Sequence, residues 1–261
     1  MNLGTAILIT THLVTFALLL QGFEFLLISR DPAFLKIWSY CNLHSELEMG
    51  LPLPKRITEL VFSDSVFRKI AFLQVSIAGL GFLRPSLTVL VILFLLHLWM
   101  CVRFRGTFNG GSDMMIFVVL TGLLIAWFGH SEKVQQLGLV YIAIHTLISY
   151  FKAGLVKLAS LDWRNGTALA SFLQRSLLAD SRRFAEWLRV RPLLGRLLCW
   201  NVVVWELAAI VLPFSSRLTT VYFLTAAGFH FAVYLSFGLN RFFWIWMSSW
   251  PAVIYSIGLL H

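Results

Sequence analysis

The chain has 261 residues, of which 59% are hydrophobic and only 13% charged, and a formal net charge of +9. A soluble domain runs nearer ~45–50% apolar and ~25% charged, so the composition excludes a soluble enzyme domain and places the chain in lipid. The apolar runs lack the residue-by-residue alternation that a lumen demands, which argues against a transmembrane β-barrel.

A helix needs roughly 20 apolar residues to cross the hydrocarbon core, with a working range of about 17–25. Taken in chain order, the pattern predicts spans near 4–28, 66–83, 87–102, 114–129, 134–157, 197–213, 217–239 and 242–259. The expectation is an all-α, polytopic transmembrane helix bundle of about eight spans, a single membrane domain over residues 1–261. No Lys or Arg precedes the first apolar run, so it reads as a retained helix and not as a cleaved signal peptide. Arg84-Pro85 separates the second and third spans, because proline cannot continue a helix without losing a hydrogen bond. Segments 30–65 and 160–196 are mixed in character. Within the second, residues 180–191 predict a short interfacial helix capped by Asp180 or Ser181. Phe184, Trp187 and Leu188 would share one face there, with Arg182, Arg183 and Arg189 turned to anionic headgroups.

Sixteen of the 21 Lys and Arg residues fall on one side of this arrangement and three, Arg84, Lys133 and Arg217, on the other. Lys and Arg accumulate on the cytoplasmic side of a membrane. The expected location is therefore the cell (inner) membrane, multi-pass, with both termini outward and segments 30–65 and 160–196 in the cytoplasm. The same bias accounts for the net charge without a nucleic-acid partner; the lipid bilayer is the expected one. Cys41, Cys101 and Cys199 are far apart and form no CxxC pair, and the seven histidines form no HxH, HxxxH or HExxH pair, so no metal site is expected.

Ionisable side chains inside spans cost roughly 2.5–3.5 kcal/mol on insertion scales and usually face the bundle interior. They are His12, Glu24, His97, His145, Lys152, Lys157, Glu206 and His230. Glu24 and Lys152 lie near span ends, where snorkelling accounts for them. Lys157, Glu206 and His230 form a candidate constellation facing one shared cavity. His230, Tyr234, Phe237 and Arg241 fall at i, i+4, i+7 and i+11, one stripe of a helix. Lys157 follows Ala153 and Gly154, so its face of the fifth span admits a close neighbour. Burial there disfavours an ammonium, whereas a neighbouring Glu206 favours it; the sequence leaves both states open.

The run Tyr150-Phe151-Lys152-Ala153-Gly154-Leu155-Val156-Lys157-Leu158, followed by Asp162-Trp163-Arg164-Asn165-Gly166, resembles a signature of the membrane domain of vitamin K-dependent γ-glutamyl carboxylases. That domain is shared with the wider HTTM (horizontally transferred transmembrane domain) family. Asn109-Gly110-Gly111-Ser112 before the fourth span, Glu206 inside a span, and Phe229-His230 with Ser236-Phe237-Gly238 are similar to further family features. The resemblance implies a catalytic base at Lys157, an assisting histidine whose nearest match is His130, and a reduced quinone as cofactor. Val156 stands where the carboxylases have a second lysine, and nothing after the bundle matches their large extramembrane domain. Two functions follow. The first is an enzyme or its membrane half, modifying or maturing a peptide supplied by a separate partner protein, with Lys157 as base and His130, His230 and Glu206 beside it. The second is a non-catalytic scaffold, immunity or assembly factor whose polar residues only hold helices together.

Overall fold

A computed structural model describes residues 1–106 and 110–261, and those residues are helical with no strand among them. The helices are α1 (Leu3–Ile28), α2 (Pro32–Trp38), α3 (Tyr40–Gly50), α4 (Lys55–Phe62), α5 (Asp64–Leu83), α6 (Leu87–Arg103) and α7 (Gly110–Phe128). They continue as α8 (Glu132–Ala159), α9 (Leu161–Asn165), α10 (Ala168–Gln174), α11 (Ala179–Arg189), α12 (Pro192–Leu207), α13 (Ser216–Phe237) and α14 (Asn240–Gly258). A tighter 3₁₀ turn, Ala208–Phe214, extends α12.

Six of these are long and apolar enough to cross a bilayer: α1, α5, α7, α8, α12 with its extension, and α13. The chain is a multi-pass membrane protein. Helix α6 has 17 residues, about 26 Å at ~1.5 Å per residue, against a hydrocarbon core of about 30 Å. Helix α14 has the length, at 19 residues, but not the apolarity.

Local chemistry sets the helix ends. Behind Pro85, Ser86 caps α6 by accepting the Val89 N–H at 3.4 Å, so α5 and α6 are separate helices. Ser215 caps α13 in the same way through the Leu218 N–H. Gly238, at φ 71°, ends α13 in the left-handed conformation that glycine adopts without steric cost. That cap dissolves the predicted stripe. Arg241 belongs to α14 and is buried, while Tyr234, on α13 with buried His230, is about one-third exposed.

The described residues form two compact units. One comprises Ile7–Gly138; the other joins Met1–Ala6 to Leu139–His261. In the first unit, Phe25, Phe67, Ala71, Met100 and Phe104 make an apolar cluster. Phe25 and Phe104 stack at 5.5 Å between centroids, and Phe67 meets Phe104 edge-on at 5.6 Å. Arg103, 1% exposed, donates to Asp64 at 2.8 Å and to the Trp38 carbonyl at 3.1 Å, tying α2, α5 and α6 together.

In the second unit, α13 and α14 pack as a pair, and α10 and α11 pack beside α12 through Ala170, Leu173, Ala185 and Leu188. Helix α11 corrects two expectations. Leu188 turns inward with Ala185, whereas Phe184 and Trp187 stack on each other at 5.5 Å on the exposed side. Neither predicted residue caps it. Asp180 accepts from Arg183 at 3.2 Å, and the Ser181 hydroxyl donates to the Ser236 carbonyl at 2.7 Å.

Candidate functional site

The second unit's site is built on one stripe of α8. Tyr150, Gly154 and Lys157 fall at i, i+4 and i+7, and face α12. A Cβ on Gly154 would meet the Leu207 backbone nitrogen and side chain at 2.9 Å. The missing side chain therefore lets α8 and α12 approach, and one turn later Lys157 reaches Glu206. Its ammonium donates to both carboxylate oxygens at 2.7 Å. Glu206 is buried, with 4% of its side chain exposed, whereas Lys157 keeps 21%. Lys157 Nζ also lies 5.2 Å from the Trp163 ring centroid, within cation–π range.

Gly166 holds the Trp163 segment in place. At φ 88° it ends α9, and a Cβ there would fall 2.4 Å from the Arg196 Cα, so backbone conformation and close packing both demand glycine. The Trp200 indole N–H donates to the Arg164 carbonyl at 3.2 Å, fixing α9 against α12 a second time.

Two turns before Lys157 on the same stripe, Tyr150 Oη and His230 Nε2 share a 2.6 Å hydrogen bond whose direction follows the imidazole tautomer. His230 stacks on Trp246 at 5.2 Å and 17° between planes. Tyr150 packs against Trp205, Trp246 and Trp250. Trp205 stacks on Tyr222 at 4.8 Å, and the Tyr222 hydroxyl donates to the Trp205 carbonyl at 3.0 Å. An aromatic layer thus adjoins the ion pair through Trp205, the residue before Glu206.

Lys157 and Glu206 are brought together directly. His230 lies in the same unit but bonds to Tyr150, so the constellation resolves into two hydrogen-bonded pairs. His130 is exposed in the turn before α8, in the other unit. Lys152 and His145 are exposed on α8, and His145 packs on Tyr141 at 4.3 Å. His12 meets Phe82 edge-on at 5.6 Å. Of the predicted polar turn before α7, Asn109 lies outside the described residues, and Gly110 to Ser112 already belong to that helix.

The first unit holds a polar layer of which sequence reasoning singled out only His97. Gln74 donates to the Gln21 side chain at 3.0 Å and to the Leu18 carbonyl at 2.9 Å. Gln21 donates to Asp113 at 3.1 Å. His97 Nε2 pairs with the Asp113 backbone carbonyl at 3.0 Å. All four residues are at most 1% exposed. Asp113 escaped notice because it sits one residue before the predicted apolar window; the glutamines did so because they carry no charge. Tyr150 was legible in principle, from its i, i+4, i+7 relation to Gly154 and Lys157.

Compared with protein-family models, curated proteins and solved structures, the chain matches none.

Proposed function

We propose that this chain is the membrane component of a lipid-quinol-linked peptide modification or maturation system, with Lys157 as its base. The observation that carries this is the bidentate Lys157–Glu206 pair. It combines a buried carboxylate with an amine that keeps an accessible edge. Transfer of one proton from Nζ to a carboxylate oxygen 2.7 Å away leaves a neutral amine, the form a base requires. The proton stays inside the site, on Glu206. Lys157 also occupies the lysine position of the motif that resembles the HTTM and carboxylase membrane domain.

The surroundings suit a flat ring. Trp163 offers a π face beside Nζ, and the Tyr150–His230 pair lies two turns away along α8. A reduced quinone, when bound, supplies an acidic hydroxyl and reducing equivalents. Lys157 would face that hydroxyl, Glu206 would hold the amine's displaced proton, and His230 would orient Tyr150. A peptide from a separate partner protein is the substrate. In this reading α6 and α14 join the six long apolar helices to give eight spans. Both termini then face outward from the cell (inner) membrane, in keeping with the sixteen-to-three asymmetry of basic residues.

One observation favours the scaffold, immunity or assembly reading. Both Glu206 oxygens are engaged beside the tight Gly154–Leu207 crossing, an arrangement that also serves a plain helix clamp. Lys157→Arg separates the two. Arginine keeps the charge and cannot supply a neutral amine. In a strain deleted for the gene, this variant at wild-type membrane abundance should fail to restore the lost phenotype. Restoration would make Lys157 a structural cation and favour the scaffold.

A further inference from the structure

Just beyond Ala159, where α8 ends, the chain folds α9 and α10 around a recess of about 180 Å³. Its lining includes Ser160, Asp162, Trp163, Ser171, Phe172 and Arg175. Pockets for drug-sized ligands hold roughly 300–1,000 Å³, so this one suits a small polar group. The lining carries one carboxylate, one guanidinium and two hydroxyls, flanked by the Trp163 and Phe172 rings at 6.0 Å. Asp162 accepts from the Thr167 hydroxyl at 3.2 Å, and it forms no ion pair with Arg175 among the described residues. Opposite charges that line one recess without neutralising each other complement a zwitterion. The aromatic pair at the end of a membrane span suits headgroup depth.

We propose that this recess binds a phosphoethanolamine group, with Arg175 on the phosphate and Asp162 on the primary ammonium. A guanidinium fork matches phosphate oxygens in a bidentate fashion. The carboxylate favours an ammonium with N–H donors over a trimethylated one that has none. The ligand is either the headgroup of a bilayer lipid or the free phosphoethanolamine ion. Because Trp163 also lies beside Lys157 Nζ, the bound group would adjoin the ion pair. Binding does not depend on Lys157 acting as a base, since different residues carry it.

The test is native mass spectrometry of the purified chain released from micelles containing equal amounts of phosphatidylethanolamine, phosphatidylcholine and phosphatidylglycerol. Wild type should retain phosphatidylethanolamine about tenfold over the other two, the factor expected from one charge-assisted hydrogen bond. Asp162→Asn should erase that preference while phospholipid is still retained, and Arg175→Gln should lower retention of all three. Both residues are exposed, and membrane abundance of each variant checks its folding. Displacement of the lipid by soluble O-phosphoethanolamine would identify the headgroup alone as sufficient. Preference without displacement would identify the intact lipid. Equal retention of the three lipids by wild type, or an undiminished preference in Asp162→Asn, would overturn the proposal.

Discussion

The two units bury polar side chains in opposite ways. In the first, Gln21, Gln74, Asp113 and His97 form a layer of amides, one carboxylate and one imidazole, all at most 1% exposed and knit to backbone carbonyls. In the second, an ammonium–carboxylate pair keeps an open edge at Lys157 and adjoins a layer of oxidisable aromatic rings. The amide layer is closed to solvent and spends most of its hydrogen bonds between helices, with the Gln74 side-chain oxygen left over, so it reads as glue. A charged pair is a costly form of glue in hydrocarbon, because each ion's desolvation must be offset by its partner. The open edge at Lys157 therefore carries the functional reading.

Four substitutions, with Gly228→Ala as a control for the second, sharpen this contrast in descending order of effect. Glu206→Ala leaves the Lys157 ammonium without its counter-ion. It should destabilise by about 3 kcal/mol, the lower end of the range for broken buried pairs because Lys157 is partly exposed. Thermal unfolding in detergent would measure it, and a loss below about 1 kcal/mol would mean the pair contributes little. Gly154→Ala places a methyl 2.9 Å from the Leu207 backbone, wedging α8 from α12. A cost of about 1–3 kcal/mol is expected from overpacking. Gly228→Ala, on α13 with open space around it, should be neutral or slightly stabilising in the same assay.

Tyr150→Phe removes the hydroxyl that pairs with His230 and should cost about 1–2 kcal/mol, since the buried imidazole loses its partner. Its cavity-free geometry makes it the cleanest probe of the aromatic layer. Of the four destabilising changes, the smallest effect is expected in the first unit. Interhelical hydrogen bonds within membranes average about 0.6 kcal/mol. Gln74→Leu should thus cost 1 kcal/mol or less while leaving function in the deletion strain intact. Lost function at normal abundance in this variant would move the functional site to the first unit.

Much of the fold was legible because bilayer length and proline chemistry act locally. The Pro85 break and all eight apolar segments appear as helices, with ends shifted by up to five residues where caps such as Ser215 lie outside the apolar window. Six of the eight meet the length and apolarity of a span. What periodicity could not supply was direction and partnership. The stripe on α13 failed because Gly238 turns the chain before Arg241. On α11, Leu188 left the face of Phe184 and Trp187 for the core because spacing shows which residues align, not which neighbour covers them. The Lys157–Glu206 pair could be anticipated from small residues beside a lysine. The Tyr150–His230 bond, 80 positions apart in sequence, could not.

The most direct test replaces the ion pair by apolar side chains of similar length. The double variant Lys157→Met/Glu206→Met removes both charges together, so no unpaired ion remains and stability should be near wild type or higher. If the pair is chemistry, the double variant reaches normal membrane abundance and fails to restore the deletion phenotype. If the double variant restores that phenotype fully, the pair is a helix clamp, and the assignment of Lys157 as a base is contradicted.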